Sequence, residues 1–376
     1  MREVTSAAVG FWGSLPGGVG KRKVQDQDSV FTSRSARTKS ERRKKKRTQS
    51  IVVSVVAVLL VAVLSAGYVL FDLQRQFNAK SNTVALGFSD AEEQARPVKD
   101  PDDKSLNILL LGVDHADEDT AESAALNEAV SQRSDSMMLV HIPEDRSQVF
   151  VMSMVRDMYV EIPGHGMNKL NAAISLGGVP LLMQTIEGIF ETKLDHVAMV
   201  DFEGFRELST ALGGVTVNNE IPFTANDTDY FYPVGDIKLE GDRALRYVRE
   251  RKSFTNGDYQ RVANQRKFIA AAANQVLSSE TLANPVKLYD IVDKVSPYLT
   301  FDDSFDAATV VGLGLQLKNV DTDNMAMFTM PTAGASMSAD GQSIELASEL
   351  AITQISEALQ NDTMADYLHD NPPETP

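Results

Sequence analysis

At 376 residues, 43% of them hydrophobic, the chain can hold one large domain with accessory segments or two modest ones, and is not wholly disordered. It contains no cysteine, which excludes a disulfide framework and a thiolate metal site. The net charge is −16, but residues 1–50 hold 13 Lys and Arg against 4 Asp and Glu, so a +9 segment precedes a −25 remainder; that acidic bulk disfavours nucleic acid as a partner.

Residues 1–50 mix Gly, Ser and charge without periodicity and are expected to be a disordered basic tail. The fragment GSLPGGVGKRK is not a phosphate loop: Leu15 stands at the first motif glycine, Arg22 follows Lys21, and no strand precedes it. The basic run Arg42–Arg47 abuts Ile51–Phe71, which carries no charge. Its 21 residues reach about 31 Å as a helix, enough to cross a bilayer. A cleaved signal peptide would have a shorter apolar stretch and rarely so long a lead, so a retained signal anchor fits better. The basic flank then stays cytoplasmic and the C-terminal bulk lies outside the cell. Residues 72–104, polar and holding Pro97 and Pro101, suggest a linker or short helical stalk.

A folded domain is expected over 105–335, followed by a C-terminal helix and tail over 336–376. Asn107–Asp114, Ser136–Ile142, Gln148–Val155 and Asp195–Phe202 are short, nearly continuous apolar runs, the pattern of strands buried on both faces. Helical patterns lie between them at Leu170–Leu176, Val179–Phe190 and Glu203–Leu212. The alternation implies an α/β domain: a mixed central sheet flanked by helices on both sides. Further helices are expected near 285–295, 305–319 and 345–360, with a last strand at Met325–Met330.

Candidate site residues cluster at the ends of these elements. Asp114 ends the first strand and Asp135 begins the second; if those strands are antiparallel, the two carboxylates converge, which suits a hard cation such as Mg²⁺. Arg133, Arg156, Asp157, Lys169 and Asn171 fall at strand or helix ends, where a helix N-terminus beside a lysine is an anion site. The stretch Tyr247–Gln265 places Arg249, Arg251, Asp258, Arg261 and Gln265 in and around a loop between two helices, with Arg261 and Gln265 on one helix face. Guanidinium groups so close suit a shared phosphate, whose oxygens match their planar fork. Surface salt bridges to neighbouring acids are the plainer alternative. The five histidines show no metal-ligand spacing.

Taken together, NILLLGVD (107–114), RSDSMMLV (133–140), VRDMYVEIPG (155–164), KLNAA (169–173), DHVAMVDFEGF (195–205), ALGGV (211–215), the run ending in Arg249 and Arg251, and GDYQR (257–261) resemble the LytR-CpsA-Psr family of bacterial cell-wall transferases. The resemblance implies a Mg²⁺-dependent phosphotransferase that moves a glycopolymer from a polyprenyl-pyrophosphate carrier to peptidoglycan through a phosphodiester. It casts Asp114 and Asp135 as metal ligands, and Arg133, Arg156, Arg249, Arg251, Arg261 and Gln265 as the grip on the pyrophosphate. The apolar helices 179–190 and 266–277 would line a lipid tunnel, although ordinary core packing explains the same pattern. One departure is Asn264, where the family usually has an arginine; Arg266 follows. A polyprenyl-pyrophosphate pyrophosphatase and a non-catalytic polyprenyl-phosphate receptor are the alternatives.

Overall fold

A computed structural model describes residues 67–69, 71–113, 134–226, 228–255, 257–317, 320 and 325–372. The expected tail, and all but the last few residues of the expected membrane span, lie outside the described residues. The same is true of Asp114, Arg133 and the side chains of Asp135 and Asp258.

The frame is a seven-stranded mixed sheet of β1 (Asn82–Val84), β2 (Leu106–Val113), β3 (Ser134–Ile142), β4 (Val149–Met154), β7 (His196–Asp201), β12 (Leu299–Asp302) and β13 (Met325–Thr329). Their order across it is β1-β12-β7-β2-β3-β4-β13. β2 runs parallel to β7 and antiparallel to β3, and β13 runs parallel to β4. The expected mixed α/β architecture is therefore present, and the four long apolar runs are its central strands.

Side chains alternate across a strand, so each central strand divides its residues between two faces. On one face Leu109, Leu111, Met137, Leu139, Phe150, Met152, Val197 and Met199 are all buried. The helices Ala172–Phe190, Glu349–Gln360 and Met364–Asp370 cover them through Leu182, Met183, Ile186, Ile355 and Met364. The opposite face carries Ile108, Leu110, Met138, Val140, Val151, Ala198, Met325 and Met327. Here Leu110, Val140, Met325 and Met327 are only partly buried, as are Val310 and Leu313 of the covering helix Ala307–Gln316. Side chains built at Gly312 or Gly314 of that helix would meet nothing within 4 Å. Among the described residues this second face is incompletely filled.

The helix 172–190 is the one described helix long and apolar enough to cross a membrane. It is kinked at Gly177 and Gly178 with Pro180 inside it, and Val179, Leu182, Met183, Ile186 and Phe190 pack in the first core. It is thus a core helix, and the expectation that 179–190 lines a lipid tunnel is corrected. The helix Asp258–Leu277 does touch the half-filled face, through Ile269.

Residues 72–104 are not a linker. The segment 71–80 is helical, β1 pairs in parallel with β12, and Arg96 makes a buried ion pair with Glu187 at 2.8 Å. Lys99 pairs with Asp195 at 2.8 Å, and the folded unit spans Tyr68–Pro376. The expected boundary at 335 also moves: β14 (Thr332–Met337) and β15 (Ser343–Ala347) form a hairpin that continues into helix 349–360. That hairpin joins β5 (Met158–Ile162) and β6 (Gly166–Lys169) in a four-stranded sheet ordered β14-β15-β5-β6.

Candidate functional site

A cavity of about 850 Å³ opens where this small sheet faces the helix-rich part of the chain. One wall comes from the turn after β4. The Met158 N–H donates to the Val155 carbonyl (3.1 Å), which closes the turn and sets Arg156 and Asp157 at the cavity edge. The register of β5 with β6 pairs Tyr159 with Lys169, so Lys169 Nζ reaches the Asp157 carboxylate at 3.0 Å, with Arg156 Nε 3.6 Å away. The Asn171 N–H donates to the Arg156 carbonyl (3.1 Å), seating the start of helix 172–190 against this wall. Asn168, Ser175 and, from the β14–β15 hairpin, Gln342 complete it.

The facing wall comes from two helices on an aromatic core. Phe223 stacks on Tyr232 at 4.6 Å, and Tyr247 packs against both. Tyr247, Ala244 and Val248 form the buried face of helix Asp242–Arg249, so Arg246 and Arg249, one turn apart, are left to line the cavity. Arg251 and Lys252 follow them. Glu250, between them, is a clamp: it accepts the N–H groups of Asn226 (2.7 Å) and Ser253 (3.0 Å). Burial pushes its carboxyl up, but those hydrogen bonds outweigh it and hold the group below its usual value. Helix 258–277 starts after Gly257, whose φ of 47° lies in the region that favours glycine. One turn in, Arg261 is buried to 4% exposure and reaches the cavity.

Seven cationic side chains thus line the cavity among the described residues, against the two carboxylates of Asp157 and Glu250. In a chain with a net charge of −16 this local reversal is a concentrated positive field.

Of the expected site residues, the fold brings Arg156, Asp157, Lys169, Asn171, Arg249, Arg251 and Arg261 to one cavity. Gln265 does not reach it. Its Nε2 donates to the Val248 carbonyl (3.2 Å), tying one cavity helix to the end of the other, which is a positioning role. Asn264 is buried and accepts from Gln260 (3.1 Å), and Arg266 points toward the Met327 carbonyl (3.5 Å) rather than into the cavity. Burial alone lowers the Arg266 guanidinium. Arg266 therefore does not stand in for an arginine at 264.

Sequence reasoning missed Arg246, Lys252, Asn168, Asn226, Ser175 and Gln342. The spacing of Arg246 from Arg249 could have revealed the first; Gln342 comes from a distant hairpin that carries no local signal.

The antiparallel register of β2 with β3 pairs Val113 with Ser134. Asp114 directly follows β2, and Asp135 is the second residue of β3. Two carboxylates on adjoining chain segments are the donor chemistry a hard divalent cation takes.

The sequence matches the LytR_cpsA_psr family over residues 73–361. It is 30% identical over 316 residues to the polyisoprenyl-teichoic acid--peptidoglycan teichoic acid transferase TagU of Enterococcus faecalis, covering 83% of this chain and 96% of that one. A Bacillus licheniformis protein of the same name is 28% identical, covering 71% and 83%. Among solved structures, B. subtilis TagV superposes with a TM-score of 0.59 at 21% identity, covering 70% of this chain and 98% of its own. B. subtilis TagT gives 0.55 at 22% identity, covering 75% and 100%; both likenesses concern the fold. With a family match that spans 73–361 and a relative 30% identical along nearly its whole length, the chain belongs to the LytR_cpsA_psr family.

Proposed function

We propose that this chain is a membrane-anchored, Mg²⁺-dependent phosphotransferase that moves a glycopolymer from a polyprenyl-pyrophosphate carrier to peptidoglycan outside the cell. The observation that carries the reading is the pairing of a cation-lined cavity with a half-filled apolar face. Both touch one helix: Arg261 at the cavity and Ile269 against the apolar face, eight residues or about 12 Å apart along the axis. A diphosphate on a long hydrocarbon tail matches that pair of environments. The names of the relatives, teichoic acid transferases, agree with it.

In this reading a hydroxyl of the peptidoglycan acceptor attacks the phosphorus nearest the sugar. A P–O bond forms, the bridging P–O bond breaks, and its electron pair leaves with polyprenyl monophosphate. The polymer then stays on peptidoglycan through a phosphodiester. Arg156, Arg249, Arg251 and Arg261 bind the phosphate oxygens and stabilise charge on the departing phosphate. Asp157 accepts the hydroxyl proton and, through Lys169 and Arg156, orients the wall. Asp114 and Asp135 would hold Mg²⁺, which when bound supplies charge neutralisation for the diphosphate.

The test is to incubate the full chain in lipid nanodiscs with a lipid-pyrophosphate oligosaccharide, Mg²⁺ and peptidoglycan fragments. Sugar phosphate joined to the glycan supports the proposal. Free sugar phosphate would indicate hydrolysis, and tight binding without turnover would indicate a receptor; either result overturns it.

A further inference from the structure

Outside the cavity, the most exposed large apolar side chains include Tyr68 (66%), Phe71 (64%) and Val286 (77%). They are far apart in sequence but not in the fold. The Tyr289 hydroxyl donates to Asp72 at 2.9 Å, Lys80 pairs with Asp293, and Asn82 Nδ2 donates to the Pro297 carbonyl at 3.0 Å. Rising numbers on one segment meet rising numbers on the other, so helix 71–80 and helix Pro285–Val295 lie side by side in parallel. Their N-terminal ends therefore share one side of the molecule. Tyr68 lies one turn before Asp72, and Val286 one turn before Tyr289. The two side chains thus stand at nearly the same height, on either side of the Asp72–Tyr289 hydrogen bond. Leu282, also exposed, lies in the single helical turn that leads into the second helix.

We propose that this tip (Tyr68, Phe71, Val286 and Leu282) is a membrane-docking surface that rests in the interfacial layer of the bilayer. The proposal builds on the reading of Ile51–Phe71 as an anchor, because Tyr68 and Phe71 belong to that uncharged run and end it. Aromatic side chains at the end of a span are those that settle at the headgroup level. The step beyond the anchor is that a second helix, more than 200 residues later in the chain, enters the same layer. Nearby charges balance: Lys80 with Asp293, Lys294 with Asp290 (3.0 Å) and Lys287 with Glu280 (3.9 Å), while the exposed Arg75, one turn after Phe71, is offset in charge by Asp72 on the same helix. Docking is therefore apolar insertion and not attraction to anionic lipid. The consequence is orientation. Helix 285–295 packs on helix Phe202–Ala211, which begins where β7 ends. Helix 285–295 leads through residues 296–298 into β12, whose Leu299 pairs with Val200 of β7, so docking at the tip fixes the orientation of the central sheet.

The absence of native cysteine permits a single spin label. The full chain carrying Val286→Cys, labelled in phosphatidylcholine nanodiscs, is compared by electron paramagnetic resonance with Val98→Cys, a 95% exposed position near the Lys99–Asp195 pair. The ratio of oxygen to nickel-chelate collisions is expected to be severalfold higher at 286 than at 98 and unchanged by added phosphatidylglycerol. In Leu282→Cys labelled protein, Val286→Asp should lower the ratio at 282 toward the value at 98. Equal ratios at 286 and 98 would overturn the proposal, as would an elevated ratio that requires anionic lipid or an added protein. The measurement involves no transfer reaction, so an aqueous reading at 286 with intact transfer removes docking alone. A membrane reading without transfer removes the proposed activity alone.

Discussion

The same strands present two unlike faces. One is filled by Leu109, Leu111, Met137, Leu139 and their helical cover, down to the buried Leu182 and Ile355. The other leaves Leu110, Val140, Met327 and Leu313 partly exposed under a helix whose glycines face open space. Completely packed surface supplies stability, since apolar burial contributes roughly 25 cal/mol per Å². Apolar surface left half-covered gives up part of that contribution, and here it lies along the helix that also carries Arg261. On the proposed reading, the contrast gives stability to the first face and carrier binding to the second.

The largest test of that division is at the cavity. Arg156→Ala and Arg249→Ala should each lower turnover by about 10²–10³-fold, the usual effect of removing a donor to developing charge. Both side chains are at least partly exposed, so the thermal unfolding midpoint should not move. Wild-type turnover in either variant would dissolve the site. Next is the packed face: Leu182→Ala should cost about 3 kcal/mol in urea unfolding, against about 1 kcal/mol for Leu313→Ala on the open face. Equal costs would remove the contrast. A smaller effect is expected from Leu110→Trp, which fills part of the open face. Activity toward a long-chain polyprenyl donor should fall severalfold while a short-chain donor is spared, and parallel losses would argue against a tail in that space.

The smallest effect is a pH dependence of the packed face. His141 is buried there, with Nδ1 2.8 Å from Asn107 and Nε2 3.0 Å from Asp362. Burial holds its imidazole below the usual value, although Asp362 pulls the other way. The unfolded chain takes up a proton near pH 6.5 that the folded chain resists. The contribution of His141 is therefore complete above about pH 6.5 and is lost as pH falls from there toward the lowered folded value. The thermal midpoint should drop between pH 7.5 and 5.5, and His141→Gln should flatten that drop; an unchanged slope would refute the assignment.

Much of the frame was legible because β2, β3, β4 and β7 are apolar on both faces and so read as nearly unbroken apolar runs. The small sheet was not: β6 and β14 have no buried residue in their patterns, and β15 has one. Residues 72–104 looked like a linker because polar composition reads as solvent exposure; beside the ion pairs of Arg96 and Lys99, their apolar ties are scattered single side chains, Phe77 against Phe301 and Val84 in the first core. At the site, the arginines were visible from their spacing around one loop. The amides opposite were not, since Asn168 and Gln342 reach the cavity only through strand pairing that local sequence does not announce. Helix 179–190 misled because an apolar helix against a core and one along a channel have the same composition; the burial of Val179, Leu182, Met183, Ile186 and Phe190 in the first core separates them.

The most direct measurement is a crystal structure of the chain with a polyprenyl pyrophosphate bound. Both phosphorus atoms should lie within ion-pair reach of Arg249, Arg251 and Arg261, with the hydrocarbon tail running over Leu110 and Val140 beneath helix 307–316. A diphosphate bound away from those guanidinium groups, or a tail lying on any other surface, would contradict the proposed function.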